Sequence, residues 1–138
     1  MNAKVPFLFV DDSNSDNKYL SLFIRIKKMP IEPQFEAGGS QALKYLYSCT
    51  PKNFPKIIFV DINMPLMNGF EFADKYQELF ANNHPETFVF ITSSSIQISD
   101  LERANSHPIV SGFIEKPFNL KQFEMKVKPL LDKGRIAA

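Results

Sequence analysis

Residues 57–69 read Ile57-Ile58-Phe59-Val60-Asp61-Ile62-Asn63-Met64-Pro65-Leu66-Met67-Asn68-Gly69. The first four are apolar without polar alternation and three are β-branched, so the spacing predicts a parallel strand buried on both faces. The run breaks at a carboxylate and passes into a loop containing proline and glycine. Similar runs occur at Phe7 to Val10, at Phe88 to Ile91 and, briefly, at Phe113 and Ile114. A weaker candidate at Gln34 to Glu36, after Pro33, suits a sheet edge. Pro6 conflicts with a central strand because it has no amide to donate, and the first strand is therefore expected to start at Phe7.

Between these runs the apolar residues change to helical spacing. Leu20, Phe23 and Ile24 form one stripe, Leu43, Leu46 and Tyr47 a second, and Phe72, Ala73, Tyr76, Leu79 and Phe80 a third. Leu120, Phe123, Val127 and Leu130 make a last stripe behind Asn119, an expected N-cap, with Pro129 expected to kink or fray the final turn. Ser99 to Ala104 is the weakest helix signal, short, polar and bounded by Pro108. Strand and helix alternate about five times, which predicts a doubly wound α/β domain with a five-stranded parallel sheet and helices on both faces.

The chain has 138 residues, the size of one domain, and is expected to be a single unit over 1–138 with its core at about 5–132 and no output domain. Its 16 basic and 15 acidic residues are dispersed, with a net charge of +1, so no basic stripe points to nucleic acid. Cys49, the one cysteine, excludes an internal disulfide and a cysteine-based zinc site and is expected to be buried or half-buried. No apolar run reaches the roughly 20 residues a membrane helix needs, and a cytoplasmic location is the default expectation. His84 and His107 stand in polar, proline-flanked segments and are expected at the surface.

Ligands of an open parallel sheet bind at the carboxyl ends of its strands, so the residue after each run matters. Asp11 and Asp12 follow the first run, Asp61 the third, Thr92 the fourth and Lys116 the fifth. Three carboxylates and one ammonium in one crevice sum to −2, a repulsion that a divalent cation removes. Oxygen donors without a neighbouring histidine or cysteine favour Mg2+, with Mn2+ or Ca2+ as substitutes. A carboxylate beside such an ion can attack a phosphoryl group while metal and lysine neutralise the equatorial oxygens. Charge alone leaves open which carboxylate is the nucleophile.

The stretch Asp61 to Gly69 resembles the phosphoacceptor loop of bacterial response-regulator receivers. The Asp11-Asp12 pair, Thr92 and Lys116-Pro117 stand in that family's order, so the resemblance covers nearly the whole chain. It implies a flavodoxin-like strand order 2-1-3-4-5 and a switch in two-component signalling rather than an enzyme with turnover. By the same resemblance Asp61 is the phosphoacceptor, Asp12 a direct Mg2+ ligand, Asp11 an acidic partner acting mainly through water, and Asn63 the donor of a backbone carbonyl to the metal. Thr92 is implied to bond a phosphoryl oxygen and Lys116 to serve the phosphate site, with a cis bond to Pro117. Phe113 takes the switch-aromatic position, able to fill space that Thr92 vacates. Ser93 is an alternative to Thr92, and Asn63 and Ser94 match positions that tune attacking water. Gly69 is expected to serve the start of a helix rather than a phosphate cradle.

The implied partners are a histidine kinase or a histidine phosphotransfer protein as donor and a downstream protein as target, with no direct nucleic acid and no membrane. Competing readings are a metal-dependent phosphatase working through an aspartyl-phosphate and a pseudo-receiver that binds a partner without phosphorylation. A phosphatase needs an acid for the leaving group, and Asn63 supplies none two residues after Asp61. The region 93–111 departs most from the family pattern. Its spacing from hydroxyl to lysine is stretched, which predicts a longer or irregular helix there.

Overall fold

The computed structural model describes residues 4–95 and 97–137. The strands are β1 (Val5–Val10), β2 (Ile31–Glu36), β3 (Ile57–Asp61), β4 (Phe88–Ser93) and β5 (Val110–Glu115), all parallel, in the order β2-β1-β3-β4-β5. Between them run α1 (Asn14–Ile26), α2 (Gly39–Ser48), α3 (Gly69–Leu79) and α4 (Ile98–Ser106). After β5 come α5 (Leu120–Gln122), a π-helical segment (Phe123–Val127) and α6 (Lys128–Ala137). This is the doubly wound sheet expected from the alternation of strand and helix, in the flavodoxin-like order that the family resemblance implies.

Alternate side chains of each strand enter opposite cores. Leu8, Val10, Ile58, Val60 and Ile91 meet Leu46 of α2, Phe72 of α3 and Ala104 of α4. Phe7, Phe9, Phe59 and Phe90 meet Ile24 of α1 and Phe123 and Val127 of the C-terminal run. The second core holds a row of rings across four strands: Phe35, Phe9, Phe59 and Phe90 stand in register, with successive centroids 5.2, 5.2 and 5.5 Å apart. Each fully buried ring contributes roughly 2 kcal/mol through apolar burial. The row ends at Gly112 in β5, where a Cβ would lie 3.0 Å from Phe90 Cε1. Two residues further along their strands stand Asp11, Asp61 and Thr92, so the rings form the floor beneath those side chains.

The prolines explain where strand boundaries differ from expectation. β1 begins at Val5 and includes Pro6 rather than starting after it. The Pro6 carbonyl accepts from Lys56 N–H at 2.8 Å, and pairing with β3 starts only at Phe7 and Ile57. The missing amide therefore points to a place where no partner strand runs. β2 is longer than expected and contains Pro33. Val5 and Asp11 amides donate to the carbonyls of Pro30 and Glu36 at 2.8 and 3.0 Å, which turns even-numbered positions of β2 toward β1 and Pro33 toward the open edge.

The stretch between Thr92 and Lys116 is resolved differently from the expectation of an irregular helix. α4 is a regular nine-residue helix, and β5 carries one residue more than the stretch of β4 it faces, where pairing jumps from Val89–Val110 to Phe90–Gly112. A bulge at Ser111 takes up that residue, and pairing is regular again from Phe90–Gly112 to Ser93–Glu115, just before Lys116. At Pro129 the helical run continues to Ala137 instead of fraying. Pro129 has no N–H for the Met125 carbonyl, and the preceding π segment, in which Lys128 N–H reaches Phe123 O, absorbs the disruption. His107 is also less exposed than expected, its side chain only 11% accessible, bonded to Asp74 at 2.7 Å and accepting from Ile109 N–H at 3.2 Å. His84 stacks on Phe54 with ring centroids 3.5 Å apart.

Helix α3 starts against the end of β3. Asn68 caps it, and the Asn68 and Glu71 side chains form a reciprocal capping box. A Cβ on Gly69 would lie 2.7 Å from the Asp61 carbonyl oxygen and 3.1 Å from Ile62 Cα. Both neighbours are backbone and cannot swing aside. Gly69→Ala is expected to destabilise the fold by about 2 kcal/mol, a typical overpacking cost, whereas Asn68→Ala should cost about 1 kcal/mol through the lost cap. Urea unfolding of the two variants checks the order; equal stability of Gly69→Ala and the parent chain would contradict it.

Candidate functional site

The carboxyl ends of β1, β3, β4 and β5 bring Asp11, Asp61, Thr92 and Lys116 to one end of the sheet. Asp61 is the last residue of β3 and stands in register with Thr92 of β4. Thr92 and Ser93 lie within β4 rather than in the loop after it. Asp11, Asp61 and Thr92 are buried, whereas Asp12 is exposed. One oxygen from each of Asp11, Asp12 and Asp61 can be chosen so that all three lie within 4.8 Å of one another. Thr92, Asp11 and Lys116 also line a cavity of about 330 Å³ whose apolar walls include Phe9, Phe59 and Ile114.

Lys116 Nζ ties these carboxylates together. It lies 2.5 Å from Asp11 Oδ2, 2.9 Å from Asp16 Oδ2 and 3.5 Å from Asp61 Oδ2. The other Asp11 oxygen accepts from Ser13 N–H at 2.9 Å, so the backbone entering α1 helps to fix it. Asp61 Oδ1 accepts a long 3.4 Å bond from Asn63 N–H. The bond between Lys116 and Pro117 is cis.

Electrostatics follow from this crowding. Burial pushes the Asp61 carboxyl up from its ordinary 3.8; Lys116 draws it down, and neighbouring Asp11 pushes it up again. Burial alone would lower Lys116, but its hydrogen bonds to Asp11 and Asp16 outweigh that and hold the ammonium firmly charged. One ammonium therefore serves several carboxylates, and the oxygen cluster of Asp11, Asp12 and Asp61 has the donor chemistry for a hard divalent cation.

Other expected residues fall at varied distances from this cluster. Asn63 and Ser94 are exposed in the loops after β3 and β4. Ser93 is unsuited to replace Thr92, because its hydroxyl donates to Ser95 O at 2.8 Å and accepts from Ser95 N–H at 3.2 Å. Phe113 is buried in the core under α2, α3 and α4, the face opposite the ring row, and is not among the residues lining the cavity beside Thr92. Ser13, not either aspartate of the Asp11-Asp12 pair, is the N-cap of α1. Asp16 was not expected in the site. An aspartate in a first helical turn reads as a dipole partner, and no local pattern announces a bond to a lysine 100 positions away.

A sequence model of the response regulator receiver domain matches residues 7–128, and the chain belongs to that family. It is 32% identical over 118 residues to "Histidine kinase P4" of Formosa agariphila, a match covering 85% of this chain and 8% of that protein. The chain thus spans a tenth or less of the length of the curated relatives it matches. Among solved structures, a two-component response regulator from Cytophaga hutchinsonii superposes with a TM-score of 0.82 at 27% identity, covering 95% of this chain and 99% of that one. A response regulator receiver protein from Dyadobacter fermentans gives 0.81 at 25% identity, with 92% and 98% covered. Receivers of this family carry an acidic cluster for Mg2+, and this chain has such a cluster. Among the described residues, no helix is long and apolar enough to cross a membrane.

Ionised Asp61 is destabilising because its folded carboxyl is raised above the unfolded one. The penalty is present above the folded pKa and vanishes as pH falls below the unfolded 3.8. Asp61→Asn should therefore raise the melting temperature of the metal-free protein by a few degrees at neutral pH, with the gain disappearing in acid. Calorimetry across pH checks this; a lower melting temperature at neutral pH would contradict it.

Proposed function

We propose that the chain is a phosphorylation-controlled switch that accepts a phosphoryl group on Asp61 from a phosphohistidine of a histidine kinase or a histidine phosphotransfer protein. The observation that carries this reading is the buried Asp61 carboxylate at the end of β3, 3.5 Å from the Lys116 ammonium and clustered with the oxygens of Asp11 and Asp12. An Asp61 oxygen forms the new O–P bond as the donor's N–P bond breaks, and the electron pair and a proton return to the imidazole. Lys116 neutralises charge on the equatorial phosphoryl oxygens and orients the group.

Asp11, Asp12, Asp61 and the Asn63 carbonyl would hold Mg2+, with Mn2+ or Ca2+ as substitutes. When bound, the ion supplies Lewis-acid neutralisation of the phosphoryl charge. Thr92, in register with Asp61, donates its hydroxyl to a phosphoryl oxygen. Its movement reaches Phe113 through the β4–β5 pairing, because Thr92 pairs with Ile114 and Phe113 is the adjacent residue. Moving such a switch from mostly inactive to mostly active takes about 5 kcal/mol, within the range of a few charge-assisted hydrogen bonds. The output is a contact with a downstream protein, formed without direct binding of nucleic acid or membrane. Asn63 provides no acid for turnover, which favours a stoichiometric switch over a phosphatase.

Incubation with acetyl phosphate and Mg2+ tests the reading by intact mass. The expected result is one phosphoryl group per chain, dependent on Mg2+, absent in Asp61→Asn and formed roughly tenfold more slowly in Lys116→Met. Continuous hydrolysis of the donor without an adduct would establish the phosphatase instead, and no reaction would favour the non-phosphorylated binding module.

A further inference from the structure

The Lys116 ammonium has three N–H donors and meets three carboxylates, but unequally. Asp11 and Asp16 hold it at 2.5 and 2.9 Å, while Asp61 stands at 3.5 Å, beyond an ordinary charge-assisted bond. We propose that Asp16 is a positioning residue that holds Lys116 back from Asp61 and so restrains phosphorylation. This rests on the reading of Asp61 as the acceptor.

Asp16 is itself held in place. It lies in the first turn of α1, where its N–H donates to the Ser13 hydroxyl at 3.2 Å, and Ser13 N–H in turn donates to Asp11 at 2.9 Å. One turn later, Tyr19 donates its hydroxyl to Phe118 O at 3.1 Å, fastening α1 to the chain just beyond Lys116 and Pro117. The helix and the lysine are thus fixed relative to each other. The Asp16 side chain is 45% exposed, so its pull on the ammonium is screened and modest rather than locking.

The charge balance gives the proposal its signature. Asp16 stands outside the cluster of Asp11, Asp12 and Asp61, so a cation held there leaves its carboxylate free for Lys116. Four carboxylates against one ammonium leave −3, and a divalent ion reduces this to −1; without Asp16 the same set is neutral. Asp16 therefore favours a bound cation and opposes an incoming phosphoryl anion. Its loss also frees one ammonium donor for the phosphoryl oxygens. A role confined to capping or the helix dipole would change stability alone.

The test uses the full chain with Asp16→Asn and the charge-conserving Asp16→Glu, both checked for wild-type melting. Asp16→Asn is expected to weaken Mg2+ binding about threefold by calorimetry and to speed labelling by acetyl phosphate about threefold at saturating Mg2+, the scale of one partly exposed ion pair. In metal-free, 15N-lysine-labelled protein it should shift the Lys116 Nζ resonance while leaving the other lysines in place. Asp16→Glu should stay near wild type in all three measurements. Labelling of wild type at a rate unchanged in Asp16→Asn, or Mg2+ affinity and labelling rate falling together, overturns the role of Asp16 and leaves the acceptor reading intact. A wild-type chain that takes no label overturns both.

Discussion

Three strands of a parallel sheet deliver two buried carboxylates and an ammonium to one end of the sheet, and one lysine serves both carboxylates. Asp11 and Asp61 are buried, Lys116 contacts both, and the ammonium is also shared with Asp16. Burial raises the cost of every uncompensated charge, so the arrangement is stable only because the surrounding structure over-determines it. Its electrostatic imbalance is also what suits it to a divalent cation and a phosphoryl group.

The rest of the molecule holds this imbalance in position. The ring row of Phe35, Phe9, Phe59 and Phe90 fixes the sheet two residues below Asp11, Asp61 and Thr92, and Gly112 makes room for its last member. Gly69 lets α3 start in contact with the Asp61 backbone. The bulge at Ser111 absorbs an extra residue and returns Lys116 to the end of β5, where its backbone N–H donates to Ser93 O at 2.8 Å. Each device acts on the backbone, so the distances among the charged groups follow from packing.

Much of this was legible in the residues. The apolar runs without alternation announced a parallel sheet, and the residue after each run announced the convergence of Asp11, Asp12, Asp61, Thr92 and Lys116, because a strand end fixes where its successor points. Boundaries at proline were less legible. Whether Pro6 or Pro33 interrupts a strand depends on which side its missing amide faces, a property of the neighbouring strands. The bulge in β5 before Lys116 was not legible, because it is defined only by the pairing of β5 with β4. Asp16 was hidden for a similar reason, since its partner becomes a neighbour only after α1 packs against the β5 end. Phe113 was legible as buried, yet not as belonging to the core opposite the ring row.

The central claim is that the phosphoryl group becomes an acyl phosphate on Asp61. Borohydride reduction of the labelled chain converts such a mixed anhydride to homoserine, with phosphate as the leaving group, and peptide sequencing by mass spectrometry locates it. The account predicts homoserine at position 61 and nowhere else. Label that resists reduction, or that maps to His84, His107 or a hydroxyl side chain, would contradict it.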